Sequence, residues 1–227
     1  MRLPYRGVLL TVISVLAMSV VTAASASAAL PEFKPAVKDL LESSGGSVTW
    51  TYATSEITCK NSSSVGTGEV TGARALDKLV VKLTECESIG ALGKGSDCAV
   101  KSAGAKEGEI VTNALKGELG TVKTTEAPSG VGLLLEPETG KVWTQLVENA
   151  CTLGTKVEGT LAAEVATTGK LQTTNTLVFG TTTGKQSIKE IKLDSGEVVS
   201  PKLSIYGIGL TLGSSFGLTF EKAMEVS

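Results

Sequence analysis

The chain has 227 residues, 41% of them hydrophobic but only 4% aromatic, with 21 Lys+Arg against 23 Asp+Glu and no histidine. A formal net charge of −2 with no basic stripe lacks the electrostatic footprint of a nucleic-acid binder. The missing histidine excludes His-assisted serine or cysteine catalysis and His-ligated zinc.

The first residues read as an export signal. Arg2 and Arg6 precede an apolar run from Val8 to Val21, broken only by Thr11, Ser14 and Ser19. Small residues follow, and Ala26-Ser27-Ala28 fits a signal-peptidase site. The run is shorter than the ~20 apolar residues of a spanning helix, so residues 1–28 predict a removed signal peptide and no permanent membrane span. The expected location is secreted or cell-surface. Cleavage leaves 199 residues with 19 Lys+Arg against 23 Asp+Glu. Such a chain buries roughly 70% of its unfolded surface, enough for one domain without a metal.

Residues 29–47 read as an extended lead-in segment. Pro31 and Pro35 favour extended backbone just before them. Ala36 to Glu42 predicts one or two helical turns, ended by Ser43-Ser44-Gly45-Gly46. Residues 48–227 then read as a single all-β domain. Apolar residues alternate at Val48, Trp50 and Tyr52, at Leu79, Val81 and Leu83, and at Val131, Leu133 and Leu135. Val157, Leu161, Ala163 and Val165 read as one strand with a single buried face. The tail keeps the spacing at Leu203 and Ile205, Leu210 and Leu212, then Phe216, Leu218 and Phe220. Abundant Thr and Val suit a pleated surface. Thr139-Gly140-Lys141, Thr168-Gly169-Lys170 and Thr183-Gly184-Lys185 predict hairpin tips, and Pro201 a strand boundary. About ten to twelve strands with these turn signals predict an antiparallel β-sandwich, with a closed or partly open β-barrel as the alternative.

Four cysteines in an exported chain predict two disulfides. Cys59 leads to Gly68-Glu69-Val70 and Ala75-Leu76; Cys98 leads to Gly108-Glu109-Ile110 and Ala114-Leu115. These two copies predict similar hairpin arms in one sheet system. Cys59 and Cys86 are symmetric about Gly72-Ala73, so a hairpin there sets them opposite each other. That favours Cys59–Cys86 with Cys98–Cys151, against the rival pairing of Cys86 with Cys98 and Cys59 with Cys151. No Cys-x-x-Cys occurs, which argues against a redox dithiol.

Several strings resemble sites without their context. Gly213-Ser214-Ser215-Phe216-Gly217 matches a nucleophile elbow, which needs a strand-to-helix turn and a histidine base; a Gly/Ser hairpin turn is expected instead. Gly90 to Ser96 lacks the Gly-Lys-Ser/Thr end of a phosphate loop and reads as a plain loop. Glu69 and Glu109 are candidate paired carboxylates for glycoside hydrolysis, although strand alternation points both outward. Glu136-Pro137-Glu138 reads as a turn flank rather than a calcium set. Trp50 and Tyr52 share a strand face, and with Trp143 they form either core or a sugar-stacking surface. Asn61-Ser62-Ser63 is a glycosylation sequon. No catalytic residue, metal ligand or cofactor is predicted.

Ile57-Thr58-Cys59, Gly68 to Gly72, Leu79 to Cys86, Gly108 to Gly120 and Val131 to Pro137 resemble a multi-copy group of uncharacterised secreted proteins from high-GC Gram-positive (actinobacterial) soil bacteria. Leu30 to Phe33 and Thr219 to Val226 are similar to that group too. The resemblance implies export, all-β structure and paired cysteines, and carries no functional residue.

Three functions follow as expectations. The first is a non-catalytic secreted or cell-surface β-domain whose ligand is a cell-wall, polysaccharide or protein partner. The second is a Glu-dependent carbohydrate-active enzyme. The third, prompted by the alternating tail from Leu203 to Phe220, is an envelope β-barrel pore.

Overall fold

A computed structural model describes residues 30–35, 39–60, 64–89, 98–124, 130–147, 154–182 and 184–227. The described residues are all-β. The chain enters as β1 (Phe33–Lys34) and β2 (Asp39–Gly45), then β3 (Val48–Tyr52) turns at Ala53 into β4 (Ser55–Cys59). β5 (Ser64–Val70) folds back at Gly72 into β6 (Ala75–Leu83), which leads into β7 (Cys86–Ile89). β8 (Cys98–Ala99) and β9 (Ile110–Val111) are two residues each. β10 (Leu115–Thr124) and β11 (Gly130–Pro137) are long, followed by β12 (Val142–Leu146), β13 (Thr155–Gly159), β14 (Leu161–Val165) and β15 (Gln172–Phe179). β16 (Thr181–Thr182) and β17 (Lys185–Gln186) make a small separate hairpin. β18 (Ile188–Lys192), β19 (Val198–Val199), β20 (Leu203–Ile205) and β21 (Ile208–Val226) complete the chain.

Nineteen of these strands form one antiparallel sheet, curled into a half-barrel. The two facing sheets of the expected sandwich are therefore not confirmed. The 19-residue β21 runs the height of the molecule. Its first half pairs with β20 and β3, as in Leu210↔Leu203 and Leu212↔Trp50. Its second half pairs with β15 and β2, as in Phe216↔Leu177 and Gly217↔Ser44. Two tiers of ladders result. One tier links β3, β4, β7 and β8 on one side of β21, with β20, β13 and β12 on the other. A Ser102↔Leu146 bridge connects those two arms. In the other tier the ladders lead from β21 through β2, β5, β6, β10, β11, β14 and β15, and back to β21.

One apolar core fills the inner face of both tiers. The period-two residues build it, because alternate side chains of a strand share a face. Val48, Trp50 and Tyr52 are all buried there. A second cluster lies on the other face, where Val122, Leu134 and Ala162 meet Ile188, Ile191 and Leu193. β11 is thus buried on both faces, and Gly120 and Gly132 leave room for the crossing. A Cβ on Gly120 would lie 2.6 Å from the Lys192 carbonyl oxygen, and one on Gly132 would lie 2.1 Å from Val122 Cγ1.

Several sequence expectations are corrected. The predicted helix over Ala36–Glu42 is absent where it can be checked: Asp39–Glu42 belong to β2, and ladders to β5 and β21 on both sides hold the backbone extended. Residues 36–38 lie outside the described residues. Within the lead-in segment 29–47, Phe33–Lys34 and Asp39–Gly45 are accordingly strands of the sheet. The predicted single strand over Val157–Val165 is two strands, β13 and β14, split between tiers. Gly159, at φ 115°, makes the break, and a Cβ there would lie 2.0 Å from the Lys202 carbonyl oxygen. Gly213–Gly217 is no turn, since it lies within β21, paired on either side. Thr139–Lys141 is a turn with Gly140 at φ 71°, but it joins β11 to a strand in the other tier. Thr168–Lys170 does connect the paired β14 and β15, and Gly184 sits in the β16–β17 tip. Pro201 falls between β19 and β20, as expected.

Candidate functional site

A shaped part of the outer surface is built where β6 meets β10. Residues 72–74 turn β5 back into β6, placing Arg74 at the mouth of the turn. Lys78 then takes φ 56°, left-handed backbone inside a strand. The β5–β6 ladder slips between Thr67 and Glu69, and the β6–β10 ladder between Leu115 and Gly117. This is a β-bulge, a feature that bends a strand and re-aims its side chains. Glu138 supports it by accepting a hydrogen bond from the Lys78 backbone N–H.

Beside the bulge lies an outer cleft of about 300 Å³, lined by Arg74, Asp77, Lys116, Glu118, Glu136 and Asp194 among others, with Leu134 contributing apolar surface. Arg74 is held on three sides. Its Nη2 donates to Glu32 Oε1 at 2.6 Å, its Nη1 to Asp194, and its Nε to the Pro31 carbonyl at 3.3 Å. Lys116 pairs with Glu136 at 3.0 Å. That hydrogen bond, Glu136's charge and the carboxylates of Asp77 and Glu118 together raise the Lys116 pKa above its ordinary value, against a smaller opposing effect of burial. Thr71 Oγ1 donates to Asp77 Oδ2 at 2.9 Å. Glu118 has no ion-pair partner among the described residues. Four carboxylates thus face two cations, and the cleft is net acidic.

A wider groove of about 610 Å³ continues past Asp194, with Val122 and Leu193 in its wall and Lys123, Glu190 and Lys192 around it. Val198, 55% exposed, also lines it. The Arg74–Asp194 pair stands at the junction of cleft and groove.

Of the residues singled out from sequence, Glu136 lines the cleft and the candidate site residues lie elsewhere. Trp50, Tyr52 and Trp143 are core side chains, 3%, 2% and 6% exposed, so the sugar-stacking surface considered for them is not on the outside. Trp50 and Trp143 instead line an internal apolar cavity of about 40 Å³. Burial raises the Tyr52 pKa above its ordinary value. The Ser88 and Ser55 hydroxyls lie near enough to oppose that shift, but not in hydrogen-bonding geometry, and the phenol OH has no partner among the described residues.

Glu69 and Glu109 sit on the outside, each beside a β6 lysine: Lys78 at 3.4 Å and Lys82 at 2.9 Å. The Lys82 hydrogen bond is the main reason the Glu109 pKa lies below its ordinary value. Glu109 precedes β9 rather than lying in a strand. Glu136 and Pro137 end β11, and Glu138 begins the turn that follows.

Cys59 and Cys86 form a disulfide and face each other across the β4–β7 ladder, as the symmetry about Gly72-Ala73 predicted. Cys98 is also disulfide-bonded; its expected partner, Cys151, lies outside the described residues. So do the Gly90–Ser96 loop and the Asn61–Ser63 sequon.

Among the described residues no group of three or more His, Cys, Asp or Glu is placed to hold a metal, and no helix is long and apolar enough to cross a membrane. The cleft itself was missed from sequence. Its charges come one or two at a time from the turn before β6, from β6, β10 and β11, and from the turn after β18. Only the Gly72 turn and Glu136, read as a turn flank, were singled out in advance. No family model, no curated protein and no solved structure matches the chain.

Proposed function

We propose that this protein is a non-catalytic, secreted or cell-surface binding domain whose outer cleft, between the Gly72–Arg74 turn and the β10–β11 ladder, receives a ligand or partner carrying a positive group. The observation that carries this reading is the cleft's unbalanced charge, with Glu118 unpaired among four carboxylates and two cations. The cleft stands on paired strands, and rigid elements hold binding geometry better than loops do. The Cys59–Cys86 disulfide supports an oxidising compartment, where such bonds persist.

The alternatives have less behind them. A membrane pore carries an apolar belt outside and polar residues within, whereas this half-barrel packs apolar side chains inside and Lys–Glu pairs outside. A carbohydrate-active enzyme would gain from aromatic surface beside its carboxylates, and neither tryptophan reaches the cleft.

The test is retention of the exported protein on arrays of cell-wall fragments, polysaccharides and proteins. Binding should weaken at least tenfold in Glu118→Lys and fall with added salt, as screening of exposed charges requires. A blank across all arrays, or binding indifferent to Glu118→Lys, overturns the proposal.

A further inference from the structure

The sheet leaves a backbone edge open beside the wider groove. Among the described residues β19 pairs with β18 alone, through Ile191↔Val199 and Lys192↔Val198. The hairpin that joins them is closed by the Leu193 N–H, which donates to the Glu197 carbonyl at 2.9 Å. Backbone groups of successive residues point to opposite sides of a strand. Glu197 and Val199 therefore face β18, and the N–H and C=O of Val198 and Ser200 face outward. Residues 196–198 and Ser200 are exposed, so that outward edge is open to solvent. Comparable backbone groups elsewhere are covered. The Phe33 N–H of β1 donates to the Ala73 carbonyl, and the β12 carbonyls of Trp143 and Gln145 accept the Asn113 and Ala103 N–H groups. On β21 the Gln186 side-chain amide spans the Leu212 backbone, with both bonds at 3.0 Å. The open edge also borders a shaped face. Thr121, Lys192 and Val198 are paired in one row, and all three line the groove.

We propose that β19 is a docking edge for a short, extended, acidic segment of a partner polypeptide. The segment joins the sheet as a further strand and lays a carboxylate side chain into the groove. An unpaired edge is a ready template for another chain. In such strand addition the main-chain bonds give affinity and the neighbouring side-chain sites give specificity. Charge sets the partner's chemistry. In the groove Glu190 pairs with Lys123 at 3.6 Å, and Asp194 is taken by Arg74. Lys192 has no ion pair among the described residues, which leaves one uncompensated positive charge in the same row as Val198. An added strand would lie two strand spacings from β18, about 10 Å. The lysine stem and a glutamate side chain close that span between them, over Val198. Pro201 has no N–H to offer and ends the open edge, so the segment is short. This edge is separate from the outer cleft, whose surplus charge is negative, and the proposal does not depend on what fills that cleft.

The capped peptide acetyl-Thr-Val-Glu-Val-Thr-amide tests it against two relatives. One carries lysine in place of glutamate; the other is N-methylated at the glutamate, which keeps the side chain and removes the donor aimed at β19. The full chain, labelled with ¹⁵N, is titrated with each while its amide signals are followed by NMR. The Val198 and Ser200 signals should shift saturably with the first peptide, and at least tenfold more weakly with either relative. Their exchange with solvent should slow on binding. Val198→Pro removes an outward N–H that the β18 ladder does not use, a place where an edge strand tolerates proline, and it should abolish binding. Should that variant not fold, Lys192→Glu, at an exposed side chain, serves instead, and there the order of the glutamate and lysine peptides should reverse. Equal affinity for the N-methylated peptide overturns the proposal, as does a linear, unsaturable drift. So does protection of the Val198 and Ser200 amides in the dilute free chain, or a shift that follows protein rather than peptide concentration, which would make the occupant a second copy.

Discussion

The two cysteine-led segments match in sequence and part in structure. Cys59 to Leu76 opens a long hairpin: β5 and β6 pair with each other, β4 and β7 pair behind them, and the disulfide closes its far end. Cys98 to Leu115 forms no such arm. Its two short strands attach to β7 and β6, and the chain between them folds tightly on itself. There Ser102 N–H donates to the Glu109 carbonyl at 3.0 Å, Glu109 N–H to the Lys106 carbonyl at 3.0 Å, and Val111 N–H to Ser102 Oγ at 2.9 Å. The glycine before each glutamate marks the divergence. Gly68 lies extended in β5, its Cα beside β6, while Gly108 turns at φ 76°. The shared Ala-Leu end is used alike, for Leu76 and Leu115 are both fully buried and both on strands of the β6–β10 ladder. A repeated spacing therefore fixed the anchors and left the path between them open.

The disulfide sharpens this contrast most. It closes a loop 27 residues long, and in the chain-entropy account that is worth about 3–4 kcal/mol. Urea denaturation of Cys59→Ala/Cys86→Ala should lose about that much. Hydrogen exchange in the same variant should rise first in β4 and β7, with little change at β9. Uniform acceleration across both segments would mean that the hairpin is not an independent arm.

The common anchors come next. Leu76→Ala and Leu115→Ala should each cost about 3 kcal/mol, the usual scale for emptying a buried leucine site. Denaturant midpoints that place the two within about 1 kcal/mol of each other would support equal use of the Ala-Leu ends. A near-silent Leu115→Ala would break the comparison from the other side.

These elements also show what sequence could reveal. Period two exposed the inner core, because burial on one face is written locally in Val48-Thr49-Trp50-Thr51-Tyr52 and in the tail. The Cys59–Cys86 bridge was legible because a single turn at Gly72 brings both residues into register. Pairing on two sides was not legible: it made Asp39–Glu42 a strand and kept Gly213–Gly217 straight, and in both places ladders from distant segments overrode local preference. The outer cleft was hidden for a related reason. Its charges sit on outward positions of well-separated strands, where any one of them reads as ordinary solvated surface.

The glycine pair gives a smaller, more discriminating effect. A Cβ at Gly108 meets nothing closer than 3.8 Å, so Gly108→Ala pays only for its left-handed backbone, about 1 kcal/mol. Asparagine tolerates that conformation, so Gly108→Asn should recover part of the loss in thermal or urea melts. At Gly68 the obstacle is steric: a Cβ would lie 3.2 Å from Leu79 Cα and 3.3 Å from the Asp77 carbonyl oxygen. There asparagine should do no better than alanine. The same ranking at both sites would refute the assignment of one to a turn and the other to a strand.

The smallest effect concerns the glutamates that follow those glycines. Glu109 has its pKa lowered chiefly by the Lys82 hydrogen bond, against an opposing effect of burial that ranks next, with smaller help from the Lys106 backbone N–H and the charges of both lysines. A carboxylate whose pKa is lower in the folded state stabilises the fold at pH values above its unfolded pKa. That contribution fades as pH falls through the folded value. Carboxyl NMR should therefore find Glu109 titrating below 4.5, its ordinary value, and moving back towards it in Lys82→Met. Lys78→Met, which removes the lysine beside Glu69, should leave the Glu109 midpoint where it is, because the two ion pairs use different residues. In Glu109→Gln the acid limb of the stability–pH curve should flatten slightly, with stability near neutral pH falling rather than rising. If Lys78→Met moved Glu109 as much as Lys82→Met does, the two segments would share one electrostatic site, and the separation drawn from their different folds would fail at the charges.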